Sequence, residues 1–196
     1  TYTEEALNPL MFGLKVKDNV KPQINQIAIY DINSENQNYK KHKIYSVKKA
    51  NGIYKPPVNL IKVGNTQIGL GIKTYDKQTG LYHLNGIYGL TMYDNDTPIY
   101  SFEMDRIPFE ETRYLNCHLD YPHKKSGGGL MQKCFQEPGN QLSIYENVLN
   151  RGILDLSDGT LHKITFEVKD IEGNLSIASF MIQYDAAKAA PIWDNE

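Results

Sequence analysis

The chain has 196 residues, enough for one large domain or two small ones and for a sizeable buried core. Twenty-one Lys and Arg stand against 23 Asp and Glu, a formal net charge of -2, so nothing here is built to neutralise a phosphate backbone and a general nucleic-acid binder is excluded. Aromatic residues reach 11%, with 14 Tyr and one Trp, which argues against disorder, and no run approaches the ~18 apolar residues of a membrane span.

The chain begins at Thr1 with no Met, signal h-region or lipid-anchor Cys, and it reads as a fragment of a longer protein. Residues 1–20 have no clean period. Asn8-Pro9-Leu10-Met11-Phe12-Gly13 is a turn backed by apolar residues, and Lys21-Pro22 ends an entry linker, since Pro fixes its own φ and favours extended chain before it. From Ile24 to Ile32 short β-branched stretches put Ile27, Ile29 and Asp31 on one strand face. Residues 33–41 are polar and predict an exposed loop. Strands follow at His42 to Val47, Leu60 to Val63 and Thr66 to Tyr75. In the last of these Ile68, Leu70 and Ile72 alternate with Gly69, Gly71 and Lys73, which predicts a bulge or a face closely approached by another backbone.

The clearest hairpin runs from Ile87 to Tyr93, turns through Asp94-Asn95-Asp96-Thr97 and returns from Pro98 to Arg106, because Asp and Asn tolerate the positive φ of tight hairpins. Pro108 to Tyr114 is one short helix with Pro in its first turn and acids beside it. His118 to Gly129 is polar, ends in a triglycine and predicts a mobile loop. Short strands are expected at Leu130 to Phe135, Leu142 to Tyr145 and Gly152 to Leu156. A final hairpin joins Leu161 to Asp170 and Leu175 to Tyr184 through Ile171-Glu172-Gly173-Asn174. Ile164, Phe166 and Val168 meet Ile177, Phe180 and Ile182 on one core face, with a register change expected near Ala178-Ser179. Ala186 to Ala190 is a spacer and Pro191 to Glu196 a tail. Many short strands with turn signals between them predict an all-β fold: an immunoglobulin-like antiparallel β-sandwich with long loop insertions over 21–185, preceded by the 1–20 linker and followed by the 186–196 tail.

Few residues are arranged for chemistry. Cys117 and Cys134 can close one loop, worth about 3 kcal/mol, or remain two buried thiols. The densest polar cluster is Cys117-His118-Leu119-Asp120 with His123 three residues on; His118 and His123 are the metal-ligand candidates, but the spacing matches no established zinc pattern. Cys117 and His118 point to opposite sides of an extended chain, so they make a poor nucleophile pair. Gly127-Gly128-Gly129 lacks the Lys and Ser or Thr of a phosphate loop. The acid pairs Glu4-Glu5 and Glu110-Glu111 lie in no apolar stretch that would raise a pKa. Tyr82, Tyr88, Tyr93, Tyr100, Tyr114 and Tyr121 crowd one third of the chain and offer either a stacking surface for sugar or protein, or ordinary strand aromatics.

Thr3-Glu4-Glu5-Ala6-Leu7-Asn8-Pro9-Leu10 resembles the exit from the catalytic domain of lysostaphin-type (LytM-type) zinc metallopeptidases. Met104-Asp105-Arg106, Phe109-Glu110-Glu111-Thr112-Arg113-Tyr114, Pro138-Gly139-Asn140 and Asp170 with Gly173-Asn174 are similar to the β-rich region that follows that domain in large envelope members. The resemblance implies a cell-envelope location, periplasmic or outer-membrane-associated, and a parent that hydrolyses peptidoglycan cross-links with one zinc. The zinc ligands, a His-Asp motif and a His-x-His pair, have no counterpart here. The implied role is a non-catalytic module with no cofactor of its own, whose partners are the peptidase domain and either peptidoglycan or an outer-membrane protein. The alternative is an envelope glycan- or protein-binding module with no peptidase link.

Overall fold

A computed structural model describes residues 4–12, 18–33, 35, 38–80 and 82–189; the Pro191–Glu196 tail and part of the entry segment lie outside them. Strand accounts for 48% and helix for 14%, so the chain is all-β. In chain order the strands are β1 (Glu5–Leu7), β2 (Gln23–Ile32), β3 (Tyr39–Ser46), β4 (Lys48–Ala50), β5 (Ile53–Lys55), β6 (Leu60–Val63), β7 (Gln67–Tyr75), β8 (Gly89–Asp94), β9 (Thr97–Glu103) and β10 (Arg106–Pro108). Two one-turn helices follow, α1 (Leu115–His118) and α2 (Tyr121–Lys125), then β11 (Gln132–Lys133), β12 (Tyr145–Val148), β13 (Leu154–Asp155), β14 (His162–Lys169) and β15 (Leu175–Tyr184).

One sheet has the order β11-β7-β2-β3, with β13 also on β7. The larger sheet runs β12-β9-β8-β14-β15-β5-β4, with β6 also on β15. Pairing is antiparallel except that β5 and β6 lie parallel to β15. Ile27, Ile29, Ile68, Leu70 and Ile72 from the first sheet share one apolar cluster with Leu90, Met92, Phe102, Ile164, Phe166, Val168, Phe180 and Ile182 from the second. The two sheets therefore stack as a sandwich. Burying each such side chain is worth about 1.5–3 kcal/mol.

The β14–β15 register is continuous from His162 opposite Ile182 to Lys169 opposite Leu175, so no register change occurs at Ala178-Ser179. Ala178 continues the core face opposite Phe166, where a small side chain leaves room for the ring. Ile177 falls on the other face and pairs with Ile53 of β5. The hairpin at 94–97 closes through Asn95 and Asp96, both at positive φ.

The first sheet is covered on its back as well. Ala28, Tyr30 and Ile32 of β2 pack there with Met131, Phe135 and Ile153. Gly69 and Gly71 of β7 explain their alternation at this surface. A Cβ on Gly69 would lie 2.6 Å from the Phe135 ring, and one on Gly71 would lie 2.9 Å from Tyr30. The missing side chains admit Tyr30, Tyr39 and Phe135, which meet edge to face at 5.4–5.6 Å.

Within the described part of the entry segment β1 pairs with β10, and the Asn174 side chain donates to the Asp18 carbonyl at 3.2 Å. Among the described residues no helix is long and apolar enough to cross a membrane.

Candidate functional site

The His118–Gly129 stretch is folded rather than open. The Asp120 carboxylate caps α2 by accepting from the His123 amide at 3.0 Å and also accepts from the Tyr30 hydroxyl at 2.9 Å. Gly127 and Gly129 adopt positive φ, while Gly128 lies directly against the His123 ring, where a Cβ would come within 2.0 Å. The triglycine is a tight wrap around an imidazole, held by Lys73 donating to the Gly128 carbonyl at 2.9 Å.

That wrap takes the sequence-derived metal candidates apart. His118 is buried, edge-on to Phe102 at 4.7 Å, and burial together with the Lys133 charge lowers its pKa to about 4, so it is a neutral packing residue at physiological pH. His123 sits under the triglycine. Among the described residues the pair joins no set of converging ligand atoms. Cys117 and Cys134 are free thiols in this structure, not a disulfide. Burial raises both thiol pKa values, with the Glu137 charge adding to the effect at Cys117, so neither is an activated nucleophile. Nearby, Lys133 is fully buried and paired with Glu137; its ammonium lies 3.2 Å from the Tyr39 hydroxyl.

The tyrosines do not assemble into one platform. Tyr100 is fully buried and donates to the Lys133 carbonyl. Tyr88 donates to Glu103 and Asp105, Tyr93 to Glu167 and Tyr114 to Gln141. Burial and these acceptors raise the pKa of Tyr88 and Tyr93. Only Tyr82, at 95% exposure, and Tyr121 among the six are largely open to solvent.

The convergent polar group lies elsewhere. Asp18 precedes β2, Asp76 follows β7 and Asp170 follows β14, and one ligand oxygen from each lies within 4.8 Å of the other two. They line an open cleft of about 350 Å³ together with Gln78, Asn85, Tyr88 and Glu172. The fold aims two of these carboxylates through donors of their own. Asp18 Oδ1 accepts from the amides of Val20 and Thr79 and from the Thr79 hydroxyl at 2.9–3.1 Å. Asp170 accepts from the amide and side chain of Asn174 at 2.8 and 2.7 Å. Asp76 is held by its backbone, which exchanges both bonds with Asn85 at 2.9 Å. Burial, then the charges of Asp170 and Asp18, push its pKa up to about 6 against the pull of the Lys77 amide.

A second acidic group frames His162, whose Nδ1 lies 2.9 Å from both oxygens of Asp94 and whose Nε2 lies 3.2 Å from Asp158. The sequence lists His162 only as one of five histidines, and it marks Asp170 only through its turn with Gly173-Asn174. Asp18 and Asp76 carry no local signal, because the fold gathers them from three distant segments. Comparison of the chain with family models, with curated proteins and with solved structures finds no match in any of the three.

Proposed function

We propose that this chain is a non-catalytic accessory module of a cell-envelope zinc metallopeptidase acting on peptidoglycan, one that positions or regulates the peptidase or docks a partner. The observation that carries this reading is apolar exposure on the elements nearest the entry into the domain. Phe12 is 68% exposed, and Leu7, Met11 and Phe109 are also open to solvent, on β1, the turn after it and the turn after β10. Exposed apolar side chains at both ends of the paired β1 and β10 offer a contact surface, and a preceding domain is the occupant the resemblance supplies.

Cross-linking within the parent protein tests this. Phe12→Ser combined with Phe109→Ser removes exposed side chains, so the module stays folded, and its cross-links to the peptidase domain should fall several-fold. Unchanged cross-linking overturns the docking role, as does a parent sequence with no His-x-His pair upstream of Thr1.

Tyr82 favours a second reading, an envelope glycan-binding module. It stands almost fully exposed with Leu84 on the segment that leads to the cleft residues Asn85 and Tyr88, and an open ring beside a polar cleft suits a sugar face. Sedimentation of the isolated chain with purified peptidoglycan, lost on Tyr82→Ala, would replace the first reading with this one.

A further inference from the structure

Three carboxylates meet at the cleft, and among the described residues no cation is paired with them. Asp76 and Asp170 are only 6% and 4% exposed. Among the described residues no lysine, arginine or histidine forms an ion pair with Asp18, Asp76 or Asp170, although seven other acids are so paired. Asp76 Oδ1 is buried and has no hydrogen-bond partner. A buried, unpartnered carboxylate oxygen beside two other carboxylates is costly. The fold nevertheless holds the neighbours in place with amide and hydroxyl donors, as supporting groups hold the ligands of a metal.

The donor set selects the ion. All three ligands are hard oxygens, which favour calcium or magnesium over zinc or copper. Carboxylate oxygens that lie within 4.8 Å of one another can be drawn onto one calcium ion, which binds at ~2.4 Å and tolerates irregular geometry, whereas magnesium demands a near-ideal octahedron at ~2.1 Å. The open cleft admits the water that would complete a coordination shell of about six to eight oxygens.

We propose that Asp18, Asp76 and Asp170 form a calcium site that ties the segment entering β2, the end of β7 and the β14–β15 turn together at the cleft. It stands independently of the accessory-module reading, since it rests on the aspartates alone. Its consequence is mechanical. The ion adds a tie to the hydrogen bonds that already join Asp18 to Thr79 and Asp76 to Asn85, so the surface that these segments present, Tyr82 included, tightens when calcium binds.

The test uses the 196-residue chain, stripped with chelator and dialysed, with calcium chloride added alone. Titration calorimetry should give one equivalent bound with a Kd of about 10⁻⁴–10⁻³ M or tighter. At about a hundred times Kd, thermal unfolding should shift up by roughly 5–10 °C. Asp170→Asn and Asp76→Asn should each abolish the shift, while Asp96→Asn, at an exposed acid outside the cluster, should keep it. Asp76→Asn also guards against misfolding: it removes an unbalanced buried charge, so its melting temperature in chelator should equal or exceed that of the wild type. No heat and no shift up to on the order of 10 mM calcium would overturn the site, as would a shift that survives Asp76→Asn. A shift with magnesium and none with calcium would overturn the choice of ion.

Discussion

β14 ends in two acidic clusters of opposite electrostatic design. At its first residue, His162 lies between Asp94 and Asp158. Just past its last residue, Asp170 lies beside Asp18 and Asp76, none of them in an ion pair among the described residues. The pKa directions follow. Hydrogen bonds from Thr160 and His162 hold the exposed Asp158 down to about 2. Burial opposes charge on His162, but its bonds to Asp94 and Asp158 win and raise its pKa. At the far end burial and like charges push Asp76 up to about 6. Acids grouped around a histidine are a finished ion pair; acids grouped alone are half of one. The same strand thus carries one cluster that steadies the metal-free fold and one that strains it until something positive arrives.

The scale for both ends is set between them. Phe166 faces Ala178 in the middle of β14 and is fully buried. Phe166→Ala should cost about 3–5 kcal/mol in guanidinium unfolding; a loss under about 1 kcal/mol would mean that the ring does not fill the space between the sheets. His162→Ala comes next. It leaves the partly buried Asp94 without its cation and should cost about 1–3 kcal/mol in the same assay, and a neutral result would erase the contrast between the ends.

The pH dependence sharpens it. Because the folded pKa of His162 is raised, its contribution is complete below the unfolded value of 6.5 and is lost as pH rises through the folded value. Asp158, lowered from 3.8 to about 2, contributes above 3.8 and loses that contribution as pH falls towards 2. The His162 end therefore works best between about pH 4 and 6.5. The pH slope above 6.5 should flatten in His162→Gln, measured as urea midpoints; an unchanged slope assigns it elsewhere. The smallest effect is Thr79→Ala, which removes a hydroxyl donor to Asp18. It should cost about 0.5–1 kcal/mol in chelator and weaken calcium binding; unchanged calcium affinity would show that Asp18 needs no support from Thr79.

The sandwich was legible because its strands alternate. Ile164, Phe166 and Val168 name their own face, and Asn95-Asp96 names its turn. Gly69 and Gly71 signalled a close approach, made by the Phe135 and Tyr30 rings and, at Gly71, also by the Gln132 backbone carbonyl. The register slip expected at Ala178 was a misreading of a small residue placed opposite a large one. α1 and α2, at four and five residues, are too short to show a helical period, so the triglycine was read without the His123 ring that gives it a shape. The tyrosine crowding was real in sequence, but Tyr88, Tyr93, Tyr100 and Tyr114 are taken up by hydrogen bonds within the fold, and of the six only Tyr82 and Tyr121 stand open. The aspartate cluster was illegible for a different reason: each member is an ordinary turn or strand-end acid, and only the sheet topology makes them neighbours.

The opposition between the two ends reduces to one comparison, the urea midpoints of Asp76→Asn and Asp94→Asn in chelator at neutral pH. Moving Asp76 from 3.8 to about 6 corresponds to a charge penalty of about 3 kcal/mol. Asp76→Asn should therefore stabilise the metal-free chain by about 1–3 kcal/mol, while Asp94→Asn should destabilise it by about 1 kcal/mol through its weakened bond to His162. Opposite signs are the predicted result. Destabilisation by both substitutions would contradict the claim that the aspartate end holds an unbalanced charge awaiting a cation.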